Sequence, residues 1–377
     1  MNETVKIERG LNGVYFERSG VSLIDGKKGE LSYRGYSIHE LAEHSTFEEV
    51  AYLLIHGELP KKHELEEFSA AISEARVPER VFDIVRSIKD GHPMDVLRTA
   101  VSALAACDPG SREVGEKEFI SNGLKLCGQI PALVAGHESI RNGRDPVQPD
   151  PDLSFAANWL YMLKGRKPDT DESRLADVDF ILHAEHGSNA SSFAARVNIG
   201  TQANLHAAIV TALSTLAGPA HGGAAEDVMK MVQEIGSAEN AADYVRAKRK
   251  RREPVTGFGH RVYRAEDPRA RHMRDGVEKL GREKGEPQWY EILQAVVEAM
   301  KPYSRHGLNV NVDFYSGVIY HLHEIPMDLF VSIFAIGRVP GWIIQCVEQL
   351  RSNILIRPLT LYNGPGPRHY TPIEDRQ

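Results

Sequence analysis

Apolar residues along this chain recur mainly at helical spacing. Val50, Leu53 and Leu54 form an i, i+3, i+4 stripe that begins after Thr46-Phe-Glu-Glu49 and stops at Gly57. The start reads as a capping box and the glycine as a left-handed stop. Ser37-Ile-His-Glu40 is a second candidate box. The same period predicts helices at 62–74, 79–88, 93–106, 116–141, 152–163, 173–186, 190–200, 203–216, 222–234, 239–250, 270–282, 287–300, 327–335 and 339–352. Pro131 is expected to kink or split the longest of these, because proline has no N–H and its ring crowds the preceding turn. A period of two occurs only within residues 13–34, at Val14–Phe16, Val21–Ile24 and Leu31–Tyr33, separated by Ser19-Gly20 and Asp25-Gly26. That pattern predicts a small antiparallel ribbon. The expected class is mainly α, with a β ribbon near the N-terminus and no internal repeat.

Length and charge narrow the picture. A chain of 377 residues is too long for one simple core and suggests two domains. A formal charge of −7 gives no general attraction to nucleic acid or to anionic membranes, so neither is expected as a partner. Any anion site must be local. Three cysteines, Cys107, Cys127 and Cys346, are odd in number and far apart, which suits a reducing compartment. MNETVKIERG has no apolar leader core, and no later run reads as a bilayer span. The expectation is a cytoplasmic protein. Lys248–Arg252, KRKRR, reads as a solvated helix end.

The stretch Gly257–Arg269, GFGHRVYRAEDPR, concentrates possible chemistry. It sets His260, Arg261, Arg264 and Arg269 behind a Gly-Phe-Gly turn, where the backbone can approach a ligand closely. A histidine among guanidiniums suits an anionic substrate that needs one proton donor at a defined point. His183 and His186 are three apart, but no third metal ligand is evident, so no metal is expected. His183 reads as a core histidine, whereas His186 stands at a helix end and could reach a cleft. His221, in Gly218-Pro-Ala-His-Gly-Gly, lies at or just before a helix N-terminus. The positive end of that dipole favours a neutral imidazole able to donate to an oxyanion. Asp313, between Val312 and Phe314, is either a helix N-cap or a partly buried base of raised pKa. Arg338 and Arg357 are arginines in apolar stretches, which calls for an anionic partner. Two histidines, a carboxylate and several arginines suit proton abstraction beside one carbonyl and attack on a second carbonyl carried by a di-acid.

These residues resemble the citrate synthase family. LSYRGYSIHELA, FEEVAYLLIHGELP, HPMDVLRTAVS, ILHAEHGSNASSFAARV, GPAHGG, GFGHRVYRAEDPR, NVDFYSG, GRVPGW and LIRP occur in the family's order and run nearly end to end. The resemblance implies a two-domain, nearly all-helical homodimer: a large domain of 1–219 plus 327–377, and a small domain of 220–326 that closes over substrates. It implies Asp313 as the base for acetyl-CoA, His221 as donor to the thioester oxygen and His260 as donor to the oxaloacetate carbonyl. His186, Arg269, Arg338 and Arg357 would hold oxaloacetate, with Arg357 reaching the partner's site. Asn189, Ser191 and Phe334 are expected at the substrate site, Ser191 orienting His221. Val255, Gly257 and Gly259 would surround the CoA adenine, and Arg264 would meet a CoA phosphate. Acetyl-CoA is then a co-substrate, and no tightly bound cofactor is expected. Ala225 departs from the family, which usually has Asn there, and is expected to loosen the turn or shift the electrostatics beside His221. The alternatives are a 2-methylcitrate synthase using propionyl-CoA and a weakly active CoA-binding homologue.

Overall fold

A computed structural model describes residues 6–11 and 13–376. Three short strands come first: β1 (Ser22–Asp25), β2 (Glu30–Tyr33) and β3 (Tyr36–Ser37). They pair antiparallel in sequence order, with Leu23 opposite Ser32 and Tyr33 opposite Tyr36. The strand expected at Val14–Phe16 does not form. Phe16 instead meets Phe193 edge-on at 5.0 Å, under the Arg196 guanidinium. Alternation holds in β2, where Leu31 and Tyr33 face inward and are buried.

Helices fill most of the rest. They are α1 (Ile38–His44), α2 (Phe47–His56), α3 (Lys62–Ser73), α4 (Glu79–Ser87), α5 (Pro93–Cys107), α6 (Glu116–Arg141), α7 (Phe155–Lys164) and α8 (Thr170–His183). After these come α9 (Ala190–Gly200), α10 (Leu205–Leu216), α11 (Ala224–Ile235), α12 (Ala241–Lys250), α13 (Ala270–Lys284), α14 (Gln288–Met300), α15 (Asp313–Leu322) and α16 (Phe330–Arg351). The Thr46/Glu49 capping box forms and Gly57 ends α2 at φ 95°. At α1 only the Ser37 half of the expected box is present. Three expectations fail. α6 runs unbroken through Pro131, α16 runs unbroken through the gap expected at 336–338 and on through Pro340, and α15 was not foreseen. Burial explains the first two. Packing on both sides of each helix holds it together across one missing hydrogen bond.

α16 lies at the centre of the larger body of helices, against α6, α8, α9, α10 and α2. Contrary to the sequence expectation, the stretch Met327–Arg351 is long and apolar enough to cross a membrane. Yet 94% of its apolar window is buried inside the fold, which makes it a core helix. A second group, α11 to α15, packs largely on itself, with α15 against α11 and α13 and α12 against α14. Residues 352–376 leave α16 as an exposed arm without a regular helix beyond one turn at Ile373–Asp375. Leu359, Tyr362 and Tyr370 on this arm are all more than 70% exposed.

Candidate active site

The turn between α8 and α9 supplies the first group. Tyr33 of the ribbon fixes it, with its hydroxyl 2.9 Å from the Glu185 carbonyl oxygen. Next in the chain, His186 is buried and its Nε2 lies 3.1 Å from the Tyr263 hydroxyl. Burial, then the charge of Arg269, holds this imidazole well below its usual pKa. Asn189 caps α9. Its Oδ1 accepts from Ser192 N–H at 3.1 Å and from the Ser191 hydroxyl at 2.8 Å. Its amide meets Ser192 Oγ at 2.9 Å, so both ends of this side chain are engaged.

His221 stands two residues before the Gly223 N-cap of α11. Its Nε2 accepts the Ser191 backbone N–H at 3.3 Å and lies 3.0 Å from Ser191 Oγ. That oxygen in turn accepts from Trp342 Nε1 at 3.1 Å. A ring nitrogen that accepts from a backbone N–H carries no hydrogen, so Nδ1–H is the donor of neutral His221. Burial, then the charge of Arg338, lowers its pKa to about 4.

The loop after α12 supplies the third group. Gly257 and Gly259 have φ of +82° and +88°, the left-handed region that favours glycine. A Cβ on Gly257 would stand 2.5 Å from the Phe314 ring. Two backbone bonds lace the loop to residues 309–311: Gly259 N–H to Asn309 O at 2.8 Å and Asn311 N–H to Gly257 O at 2.9 Å. Val255 is buried at the start of the loop. His260 follows, and its Nδ1 accepts from the backbone N–H groups of Val262 and Tyr263, each at 3.1 Å. Nε2–H is therefore its donor. Burial, then Arg269, lowers this pKa to about 4 as well. The His186 and His260 rings are 5.2 Å apart, nearly perpendicular. Arg269, buried at the start of α13, makes a two-pronged pair with Asp267, Nε to Oδ1 at 2.9 Å and Nη2 to Oδ2 at 2.7 Å. Arg264 is exposed, and its N–H binds the ribbon-turn carbonyl of Gly26 at 2.7 Å.

Asp313 is the first residue of α15, and no described residue donates a hydrogen bond to its carboxylate. Burial raises its pKa against the nearby charges of His183, Arg269 and Arg338. Arg338 is 1% exposed. Its Nε donates to the His183 carbonyl, and its guanidinium lies 4.7 Å over the Phe334 ring. Among the described residues no carboxylate comes within ion-pair distance of Arg338, and burial lowers its pKa to about 10. Phe334 also meets the His221 ring at 6.5 Å and the His183 ring at 4.7 Å. Ala225 is buried where α11 crosses α15, and a side chain on Gly317 would collide with its carbonyl.

His186, His260 and Tyr263 thus form one cluster, and His221, Ser191, Phe334 and Arg338 a second. Asp313 feels the charge of Arg269, which acts on the first cluster, and that of Arg338 in the second. Arg357 is exposed on the C-terminal arm, away from these groups. The sequence reading missed Tyr263, Asp267 and Glu185, although all three stand inside the motifs it singled out. Glu185 is fully buried, accepts from Gln345 Nε2 at 2.9 Å, and is pushed up to about 7 by burial. The arrangement offers two neutral imidazole donors, one carboxylate free of donors, and a buried guanidinium without a carboxylate.

Comparison with known proteins accords with this chemistry. The family model "Citrate synthase, C-terminal domain" matches residues 10–359. A citrate synthase of Synechocystis sp. is 42% identical, covering 100% of this chain and 96% of the relative. "Citrate synthase 2" of Bacillus subtilis is also 42% identical, covering 98% of this chain and 99% of the relative. "2-Methylcitrate synthase 2" of Corynebacterium glutamicum is 38% identical, over 99% of each. Among solved structures, citrate synthase of Pyrobaculum aerophilum superposes with TM-score 0.94 at 37% identity, covering 98% of this chain and 95% of that one. Citrate synthase of Thermoplasma acidophilum, in a ternary complex with carboxymethyl coenzyme A and oxaloacetate, superposes equally well, with TM-score 0.94 at 29% identity, covering 98% of this chain and 100% of that one. On a match along nearly its whole length, the chain belongs to the citrate synthase family, enzymes of the acyltransferase type.

Proposed function

We propose that this chain condenses acetyl-CoA with oxaloacetate and hydrolyses the resulting citryl thioester to citrate and CoA. The observation that carries the reading is the pair His221 and His260. Each has one ring nitrogen tied to backbone N–H donors, and each is held neutral by burial. Asp313 removes a proton from the acetyl methyl group while His221 Nδ1–H donates to the thioester oxygen, which stabilises the enol. The enol carbon attacks the oxaloacetate carbonyl carbon, and His260 Nε2–H donates to the oxygen that gains charge. Water then cleaves the thioester. His186, Arg269 and Arg338 hold the oxaloacetate carboxylates, and a second copy of the chain supplies Arg357 in a homodimer. The 255–259 loop takes the adenine of CoA and Arg264 a phosphate. Residues 220–326 act as the small domain that closes over residues 1–219 and 327–377. A cytoplasmic setting fits three unpaired cysteines.

The second reading, a 2-methylcitrate synthase, is favoured by the 38% identity to such an enzyme. One methylene separates the two substrates and is worth only about 1–3 kcal/mol in a pocket. Thiol release from acetyl-CoA and from propionyl-CoA, each with oxaloacetate, tests both. A higher kcat/KM for acetyl-CoA supports the first reading and a higher value for propionyl-CoA the second. Release from neither would leave a weakly active CoA-binding homologue, the reading that Ala225 suggests.

A further inference from the structure

Away from these groups, a cavity of about 330 Å³ lies between α2, α3, α6 and the segment leading into α7. Ile72, Pro131, Leu153, Phe155 and Met162 give it largely apolar walls. Glu48 of α2 also lines it and is only 7% exposed. Glu48 Oε1 accepts the Phe155 backbone N–H at 2.7 Å, which caps the start of α7. Oε2 has no hydrogen-bond partner among the described residues. The charged neighbours do not compensate it. Asp177 is a second buried acid, and its own partner is Arg174 at 2.9 Å. At the rim, the exposed acids Glu66 and Glu74 outnumber Arg76, whose guanidinium is engaged by the Ser73 carbonyl. Along the same wall, Pro131 offers the cavity no N–H. An acceptor without a donor, on an acid without a cation, stands here beside apolar walls. Leaving a buried carboxylate oxygen unpaired is costly, and a cationic donor would offset that cost.

We propose that this cavity is a binding site for a small organic amine, with its ammonium group on Glu48 Oε2 and a hydrocarbon body about the size of one aromatic ring against Ile72, Phe155 and Met162. An alcohol of the same shape keeps one hydrogen bond but loses the charge. A carboxylate of that shape meets Glu48 and the acidic rim with the wrong sign. The site does not share residues with the reacting groups described above.

Isothermal calorimetry on the full chain with 2-phenylethylamine, 2-phenylethanol and phenylacetate tests this. The amine should saturate one site per chain, about ten-fold or more tighter than the alcohol, and phenylacetate should not bind. Glu48→Gln keeps an oxygen for the Phe155 N–H and should bring the amine down to the level of the alcohol, with turnover unchanged. Ser69→Phe fills the cavity from its rim without replacing Glu48 and should abolish binding of both, which keeps the test open if the first variant does not fold. No saturable amine binding, or equal binding of amine and alcohol, means that water alone occupies the cavity and overturns the proposal. Amine binding that survives Ser69→Phe places the ligand elsewhere and overturns it too.

Discussion

Asp313 shows how one residue takes its strength from its setting. At the first position of α15 a carboxylate would ordinarily be favoured by the helix dipole, yet burial raises its pKa and no described donor quenches it. Asp313→Asn keeps the shape and removes the proposed base. Turnover should fall about 10²–10⁴-fold, the usual worth of a general base, while oxaloacetate affinity measured by calorimetry stays nearly unchanged. Near-normal turnover would remove Asp313 from the mechanism. His186, His221, His260 and Asp313 stood out in the sequence as candidates because each sits beside glycines or in an apolar setting unusual for its type. Tyr263, Asp267 and Glu185 were harder to see. Their meaning depends on what faces them, and His186 lies 77 residues from Tyr263. For Asp267 a local clue existed, since it precedes by two the arginine it holds.

At the scale of elements, the 255–259 loop is shaped by its glycines and by the strap to residues 309–311. Gly257→Ala places a methyl group against Phe314 at a φ that L-residues resist. Overpacking of this kind costs about 1–3 kcal/mol. The loop should shift, so KM for acetyl-CoA should rise several-fold while oxaloacetate affinity changes less. Equal effects on both substrates, measured by steady-state kinetics, would deny the loop a CoA-specific role. Most helices could be read from apolar stripes, because a half-buried helix writes its period into the sequence. α15 could not. Its apolar face is nearly complete, with Phe314, Tyr315, Val318 and Ile319 all buried, so no polar face marks the period. α16 was read as two helices with a gap at 336–338, and its buried surroundings carry one helix straight through.

The whole molecule carries a pH signature. Nine histidines, His186, His221 and His260 among them, have pKa values lowered in the fold from 6.5. Below pH 6.5 the unfolded chain binds protons that these native rings refuse, so stability falls as the pH drops towards about 4. Four carboxyls, Glu48, Asp177, Glu185 and Asp313, are raised and act with the opposite sign. Their contribution is present while they stay protonated in the fold and is lost as pH rises through about 7 for Asp177 and Glu185. Nine against four predicts net proton uptake on unfolding at about pH 5.5, measurable by calorimetry in two buffers of different ionisation enthalpy. Net release would contradict it. The exposed arm bearing Arg357 gives a second prediction. Arg357→Ala and Asp313→Ala, each inactive alone, are co-expressed so that mixed dimers form. If Arg357 serves the neighbouring subunit, each mixed dimer keeps one whole site, and about a quarter of parental activity returns with random pairing. A silent mixture, with mixed dimers confirmed by mass, would leave Arg357 working within its own chain.

Arg338 has a further consequence. A guanidinium 1% exposed, with no carboxylate within ion-pair distance among the described residues and Glu185 and Asp313 felt only from farther off, is a charge that folding has taken out of water without a directly paired counter-ion. This buried charge lowers the stability of the protein, and under the proposed function a di-anion bound there would recover it. Arg338→Met, close in length and apolar, should melt at a higher temperature than the parent by scanning calorimetry and yet gain nothing when oxaloacetate is added, whereas the parent should gain. A variant that melts lower would mean that the bond to the His183 carbonyl outweighs the buried charge. Under the proposed function the substrate is then the last piece of the fold, and heat resistance without it is what has been exchanged for grip on an anion.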